Sequence, residues 1–370
     1  MGSDSKFKVP MIDLARQHAE IREEVDSAVV SCLSSGQFIL GPQVREFERE
    51  FADYIGVEHA IGVASGTDAI FLPLKAIGTG PGDEVITTPF TFIATAEVIA
   101  NCGATPVFAD IEPDTFNLDV SLVERAITPR TKAIIAVHLF GQPADIDPLL
   151  ELARDRGIQL IEDCAQATGA TYNRRKVGSQ AAVGAFSFFP TKNLSCAGDG
   201  GMVTTNDGKL AESVRMLRAH GSKVKYVHEV LGVNSRLDEV QAAILRVKLP
   251  LLDRWNGERA KTADAYTRSL EGVTTPAVAR GRTHVFHQYT IRSPHRDALA
   301  EKLSSEGIGL GIHYGRPLHL QPCFAYLGLK EGALPQSENA AREVISLPMF
   351  PGMTEREIDR VCAVVNMANG

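Results

Sequence analysis

The chain has 370 residues, 44% hydrophobic and 22% charged, the balance of an ordinary globular protein and an argument against extended disorder. Its 38 Lys and Arg against 45 Asp and Glu leave a formal charge of −7 with no basic block, which argues against a nucleic-acid binder. No apolar run approaches the length that crosses a bilayer, and the stretch Met1 to Lys8 is polar and lacks an apolar signal core.

The six cysteines, Cys32, Cys102, Cys164, Cys196, Cys323 and Cys362, are scattered, with no Cys-x-x-Cys pair and no zinc spacing. We therefore expect no metal site and a reducing, cytoplasmic compartment. Cys164 and Cys196 read as small packing residues.

In chain order, the first informative segment is Val63 to Ile70. Ser65 and Asp68 fit a Ser-x-x-Asp capping box ahead of an apolar run. The plain reading is a capped helix. The functional one is a phosphate seat, with free N–H groups at the helix start and Gly66 allowing close approach. Strands are predicted at 84–87, 105–110, 133–137 and 159–163, with helices between them at 92–102 and 148–156 that stop at Gly103 and Gly157. This alternation predicts βαβ units and a mainly parallel sheet, whose ligands sit beyond the carboxyl ends of the strands, where Asp110 and Asp163 fall.

The apolar run at Ala185 to Phe189 leads through Pro190 to Lys192, and then to the glycine-rich turn 198–201. A lysine beside so much aromatic surface is either snorkelling or a desolvated amine fit for a Schiff base. Helices are predicted at 208–218 and at 237–249, the latter halted by Pro250. Beyond about 255 the pattern becomes helix, strands near 284–291, helix 297–306 and a last helix from 354 to about 368. This divides the chain into a large α/β domain, residues 1–250, and a smaller α+β domain, residues 251–370.

A phosphate seat, a carboxylate at a strand end and a candidate Schiff-base lysine are the three parts that pyridoxal 5'-phosphate requires. The 29 residues from Asp163 to Lys192 let them come from neighbouring strand ends.

With these motifs the chain resembles the sugar aminotransferases of the DegT/DnrJ/EryC1/StrS family. The resemblance rests on Gly36 to Pro42, Ser65 to Ala69, Gly80 to Val85, Glu162-Asp163 and Gly232 to Asp238, and it covers nearly the whole chain. It implies the aspartate-aminotransferase-like fold, type I of the pyridoxal-phosphate transferases. Lys192 resembles the lysine that bonds the cofactor and shuttles the proton, and Asp163 the acid on the pyridine nitrogen. Gln166 resembles the residue beside the phenolic oxygen. Gly66, Thr67 and Ser187 resemble the phosphate ligands, and Asn234 the one that reaches in from the other subunit of a homodimer. Phe92 sits where the family stacks an aromatic ring on the cofactor, against ordinary core as its plain reading. His313, Tyr314 and His319 match the segment that faces the sugar nucleotide.

The resemblance further implies transfer of an amino group, from L-glutamate through pyridoxamine phosphate, to a nucleotide-linked keto sugar. The product would be an amino sugar for a surface polysaccharide or a glycosylated natural product. The run from Phe188 to Leu194 with Gly198-Asp199-Gly200-Gly201 looks most like members that aminate 3-keto sugars. A 4-keto-sugar aminotransferase is the alternative. A sugar dehydratase is disfavoured because Lys192 is present, and a Rossmann dehydrogenase because no Gly-x-Gly-x-x-Gly motif follows an early strand. A non-catalytic cofactor-binding regulator is the reading from a different class.

Overall fold

The computed structural model describes residues 8–369, so most of the N-terminal polar stretch lies outside the described residues. Three helices open the chain, α1 (Leu14–Glu20), α2 (Arg22–Ser35) and α3 (Pro42–Ile55). Then β1 (His59–Val63), α4 (Gly66–Ala76), β2 (Glu84–Thr87), α5 (Ala94–Asn101), β3 (Thr105–Phe108), α6 (Val120–Ala126), β4 (Thr131–Val137), α7 (Ile146–Arg156) and β5 (Gln159–Asp163) alternate. A small ribbon, β6 (Thr171–Tyr172) and β7 (Arg175–Lys176), precedes β8 (Val183–Ser187), β9 (Gly201–Thr205) and α8 (Gly208–Leu217).

Seven strands form one sheet in the order β1-β9-β8-β5-β4-β2-β3. Only β9 runs against its neighbours, so the predicted parallel sheet holds across the site. Strands β2 and β4 are buried apart from Lys132, as expected for a sheet covered by helices on both faces. One apolar cluster packs α4, α5 and α8 on one face, around Val85, Ile135 and Ile161. The other face is filled by Phe47, Phe51, Phe186 and Phe188 and, further along, by Ile134 and Leu160.

An exposed ribbon, β10 (Ser222–Val224) and β11 (Val227–His228), follows, and then α9 (Glu239–Lys248), whose Ala242 and Leu245 still pack into the first core. Pro250 halts α9 at Lys248, as the sequence predicts. It sits in the first turn of a single 3-10 turn, where its missing N–H is no loss, and the chain runs straight into α10 (Leu252–Ser269). After β12 (Tyr289–Arg292) come α11 (Arg296–Ser305), α12 (Pro335–Glu343), β13 (Val344–Leu347) and α13 (Glu355–Asn369). Strands β12 and β13 pair antiparallel, and α10, α11 and α13 enclose a separate apolar cluster with them. Val9 belongs to that cluster and bridges to Ile308, and Arg16 grips Glu357 on α13 through two bonds of 2.8 and 2.9 Å.

Asp110, expected to meet a ligand, instead caps α12. Its carboxylate accepts from the N–H groups of Gln336 and Ser337 at 2.8 and 2.9 Å. A strand-end acid thus ties the second apolar unit to the first. No helix among the described residues is long and apolar enough to cross a membrane.

Candidate active site

The carboxyl ends of β4, β5 and β8 open onto a cavity of about 450 Å³. Gly66, Thr67, Phe92, Asp163, Gln166, Ser187, Lys192, His313 and Tyr314 all line it. Nine of the eleven expected residues therefore meet at one place, drawn from segments nearly 250 positions apart.

The helix start is built as predicted, in part. Ser65 Oγ accepts from the N–H of Asp68 at 3.1 Å, which caps α4. The reciprocal half of the capping box is absent, because Asp68 Oδ2 accepts the Ser235 hydroxyl at 2.7 Å instead. Gly66 is required here: a Cβ would stand 2.5 Å from the Ser187 Cβ. The end of β8 and the start of α4 are thereby pressed together. The N–H groups of Gly66 and Thr67, in the first helical turn, meet no protein acceptor among the described residues and remain available to an anion. The glycines of the 198–201 turn serve packing, since a Cβ at Gly200 would strike Cys196 and one at Gly201 the Ser65 carbonyl.

Asp163 ends β5 and is 5% exposed. Thr95 Oγ1 donates to its Oδ2 at 2.9 Å, and the Ala165 N–H donates to its Oδ1 at 3.2 Å. The Thr95 hydroxyl proton is thus committed, so Thr91, 3.3 Å away, donates to Thr95. Burial pushes the Asp163 carboxyl above its ordinary range, and Thr95, Ala165, Lys192 and His138 offset this only partly. Lys192 follows the Phe189–Pro190 turn, with its N–H on the Phe189 carbonyl at 2.8 Å. Desolvation lowers its ammonium to about 8, against the opposing pull of Asp163.

Gln166 is fixed by both ends of its amide. Oε1 accepts the Phe140 N–H at 2.7 Å, so Nε2 is the donor that reaches the Tyr314 hydroxyl at 3.1 Å. Burial raises the Tyr314 phenol against that hydrogen bond. Phe92 is 55% exposed, so it is no core residue, and its ring lies 6.4 Å from that of Tyr314. His313 Nδ1 meets Ser346 Oγ at 2.9 Å, and burial and the charge of Lys192 lower its pKa.

Two expected residues lie elsewhere. His319 is 1% exposed, lies off the cavity and pairs with Glu338 at 3.1 Å. Glu338 in turn accepts from the backbone of Gly332 and Leu334, so His319 braces a turn rather than facing a substrate. Asn234 is exposed, outside the cavity of its own chain, in the segment whose Ser235 binds Asp68.

The cavity also holds Asp199, from the glycine-rich turn, and Thr95, His287 and Gln288, to which the sequence reading gives no role in the site. Thr91 and Thr95, four residues apart on either side of the start of α5, offered a faint signal. His287 offered none. It is buried, its Nδ1 has no partner, and burial together with Lys192, Arg259 and His313 holds its pKa well below the ordinary value.

Of possible metal ligands, His138, Glu162 and Cys164 come together behind the site. His138 Nδ1 accepts the Ala144 N–H, so its Nε2–H donates to Glu162 Oε2 at 3.0 Å, and those lone pairs are already used. A free amine at Lys192, an acid at Asp163 and unclaimed N–H groups at Gly66 and Thr67 are, by contrast, the donor set that suits pyridoxal phosphate.

The sequence model of the DegT/DnrJ/EryC1/StrS aminotransferase family matches residues 19–366. The chain is 54% identical to the "Pleiotropic regulatory protein" of Geobacillus stearothermophilus, over 95% of this chain and 96% of the relative. It is 48% identical to a UDP-N-acetyl-3-dehydro-alpha-D-glucosamine 3-aminotransferase of Acidithiobacillus ferrooxidans, over 96% of this chain and 97% of the relative. Its fold superposes with a TM-score of 0.96 on DesV from Streptomyces venezuelae, solved with a ketimine intermediate, at 46% identity over 98% of this chain and 99% of that one.

Proposed function

The chain belongs to the DegT/DnrJ/EryC1/StrS aminotransferase family, and from that premise we propose that it places an amino group on C3 of a nucleotide-linked 3-keto sugar. The observation that carries this reading is the meeting of Lys192, Asp163 and the free N–H groups of Gly66 and Thr67 in one cavity. Pyridoxal phosphate, when bound, supplies an electron sink for the carbon that loses its proton.

The chain's own residues do the rest. Lys192, with its ammonium lowered to about 8, has a neutral fraction near pH 7 large enough to bond an aldehyde and to carry a proton. Asp163 keeps a proton on the pyridine nitrogen. Gly66, Thr67 and Ser187 would hold the phosphate, Gln166 would offer its Nε2–H to the phenolic oxygen, and Phe92 would pack against the ring. His313 and Tyr314 face the sugar. L-glutamate is the proposed donor.

We place the domain division at residues 250 and 251, with the N-terminal arm crossing to the second unit through Val9 and Arg16. The homodimer reading is supported by the ribbon beside Asn234, where Leu231 is 97% and Tyr226 82% exposed. Large apolar side chains left in water call for a cover, and a two-fold copy would supply one while turning Asn234 towards the neighbouring site. The six free cysteines suit the cytoplasm.

A half-reaction screen tests the function. The protein loaded with pyridoxamine phosphate is offered nucleotide 3-keto and 4-keto sugars, and product NMR locates the nitrogen. Nitrogen at C4 would refute the C3 assignment and keep the aminotransferase. The name of the Geobacillus relative favours a second reading, a cofactor-binding regulator, and failure of every keto sugar and every amino donor to turn over would support it. Mixing Lys192→Ala with Asn234→Asp tests the shared site. Subunit exchange should restore up to about half of wild-type activity per mixed dimer. Proven exchange without restored activity would remove Asn234 from the partner's site.

A further inference from the structure

The turn that carries Lys192 belongs to no helix or strand. The backbone hydrogen bond from the Lys192 N–H to the Phe189 carbonyl closes it locally, yet it says nothing about where Lys192 stands relative to the opposite wall. The next residue supplies that register. Asn193 is buried, and both protons of its Nδ2 are used: one goes to Asn256 Oδ1 at 2.7 Å, the other to the Val285 carbonyl at 2.9 Å. A carbonyl only accepts, so the Val285 contact fixes which end of the amide faces it. Asn256, on α10, passes its own Nδ2–H to the Thr168 carbonyl at 3.1 Å.

Val285 begins the crossover that carries His287 and Gln288 along the cavity wall. That crossover is held in turn to the Gln166 support: the Val285 N–H reaches the Gly141 carbonyl at 3.0 Å, and the Phe140 N–H holds Gln166 Oε1 at 2.7 Å. One carboxamide therefore joins the lysine turn, α10 and the segment that orients Gln166. The apolar core next to it does not need a polar side chain at this point, and Asn193 Oδ1 is left without a partner. A buried amide kept at that cost points to geometry rather than bulk stability.

We propose that Asn193 is a positioning residue, which sets the reach of Lys192 across the cavity through its two Nδ2 hydrogen bonds. The inference rests on Lys192 being the cofactor lysine, so borohydride trapping and peptide mapping of the wild-type holoenzyme come first. A label on another lysine brings down both readings.

The test is Asn193→Asp in the full holoenzyme. The shape is kept, but both donors are lost and an oxygen is set against the Val285 carbonyl. The pyridoxal phosphate Kd should stay within about threefold, while kcat falls on the order of 30- to 100-fold, as expected for a misplaced reacting group. The pH midpoint of the Lys192-linked chromophore should move by half a unit or more, a change that a general loss of packing would not produce. Asn256→Ala, which removes one of the two acceptors from outside the cavity, should shift the same midpoint less and lower kcat by about threefold to tenfold. It serves as the deciding variant if Asn193→Asp does not fold. A folded variant with an unmoved midpoint overturns the proposal whether or not kcat falls, and it leaves the assignment of Lys192 standing.

Discussion

Glu162 and Asp163 are consecutive residues of one strand, both buried, and they face opposite sides of the sheet. On the far side, Glu162 accepts from the His138 ring at 3.0 Å and from the N–H groups of Gly178, Gln180 and Ala181 at 2.9, 3.1 and 2.9 Å. Burial pushes its carboxyl up, but these donors outweigh that and hold it below the ordinary range. On the cavity side, the donors to the Asp163 carboxylate among the described residues are Thr95 and the Ala165 N–H, and burial wins. A saturated carboxylate is finished as chemistry and acts as a joint. An undersatisfied one has capacity left for a ligand. What separates the two acids is the number of donors supplied, not the depth of burial.

The sharpest way to break this contrast is to neutralise each acid in turn. Asp163→Asn should lower kcat by about 100-fold or more, roughly 3 kcal/mol, with little loss of cofactor affinity, because the charge matters most when electrons enter the ring. Its thermal stability should hold or rise, since a poorly compensated buried charge is gone. Stopped-flow half-reactions and calorimetry read the two effects, and unchanged turnover would remove Asp163 from its role. Glu162→Gln should do the reverse. Its amide would set N–H against N–H at the 178–181 turn, costing about 3 kcal/mol in denaturant titration while the folded enzyme keeps kcat within about threefold.

Thr95→Val sharpens the contrast from within the site. It removes one of the two donors to Asp163 at nearly constant volume, and we expect about a tenfold fall in kcat at neutral pH with Tm little changed. The smallest effect is on the pH dependence of the cofactor-free chain. Asp163 has a raised folded pKa, so it binds its proton better when folded, and stability from this group falls as pH rises from its unfolded pKa through the folded one. Glu162 has a depressed folded pKa, so its contribution is present above the unfolded pKa and is lost as pH falls through the folded one. Acid titration of stability should therefore flatten in Glu162→Gln and steepen in Asp163→Asn. Identical slopes in both would erase the distinction.

The sequence displayed the parts whose physics is local. Strands 84–87 and 159–163 are found where they were predicted, because apolar runs bounded by turns report their own burial. The Ser65 cap and the free N–H groups after it were legible for the same reason. What stayed hidden depends on distant pairing. Asp110 looked like a ligand acid until α12, 226 residues further on, claimed its oxygens. His319 looked like a substrate residue until Glu338 was found against it. Thr95 and the pair His287 and Gln288 reach the cavity only because two segments far apart in the chain converge there. Pro250 was legible as the stop of α9, because proline is excluded from a helix interior.

The clasp between Arg16 and Glu357 joins residues 341 positions apart. A ribosome adds about 5–20 residues each second, so the segment bearing Val9 and Arg16 would emerge on the order of tens of seconds before its partner on α13 exists. For that time the sheet that ends in Asp163 and Lys192 can form behind it, while the arm, with the apolar Val9, has nowhere to dock. The segment of Val9 and Arg16 therefore docks only after α13 has been made, and a fusion that restrains residues 8–16 should delay completion of the C-terminal unit without delaying the sheet.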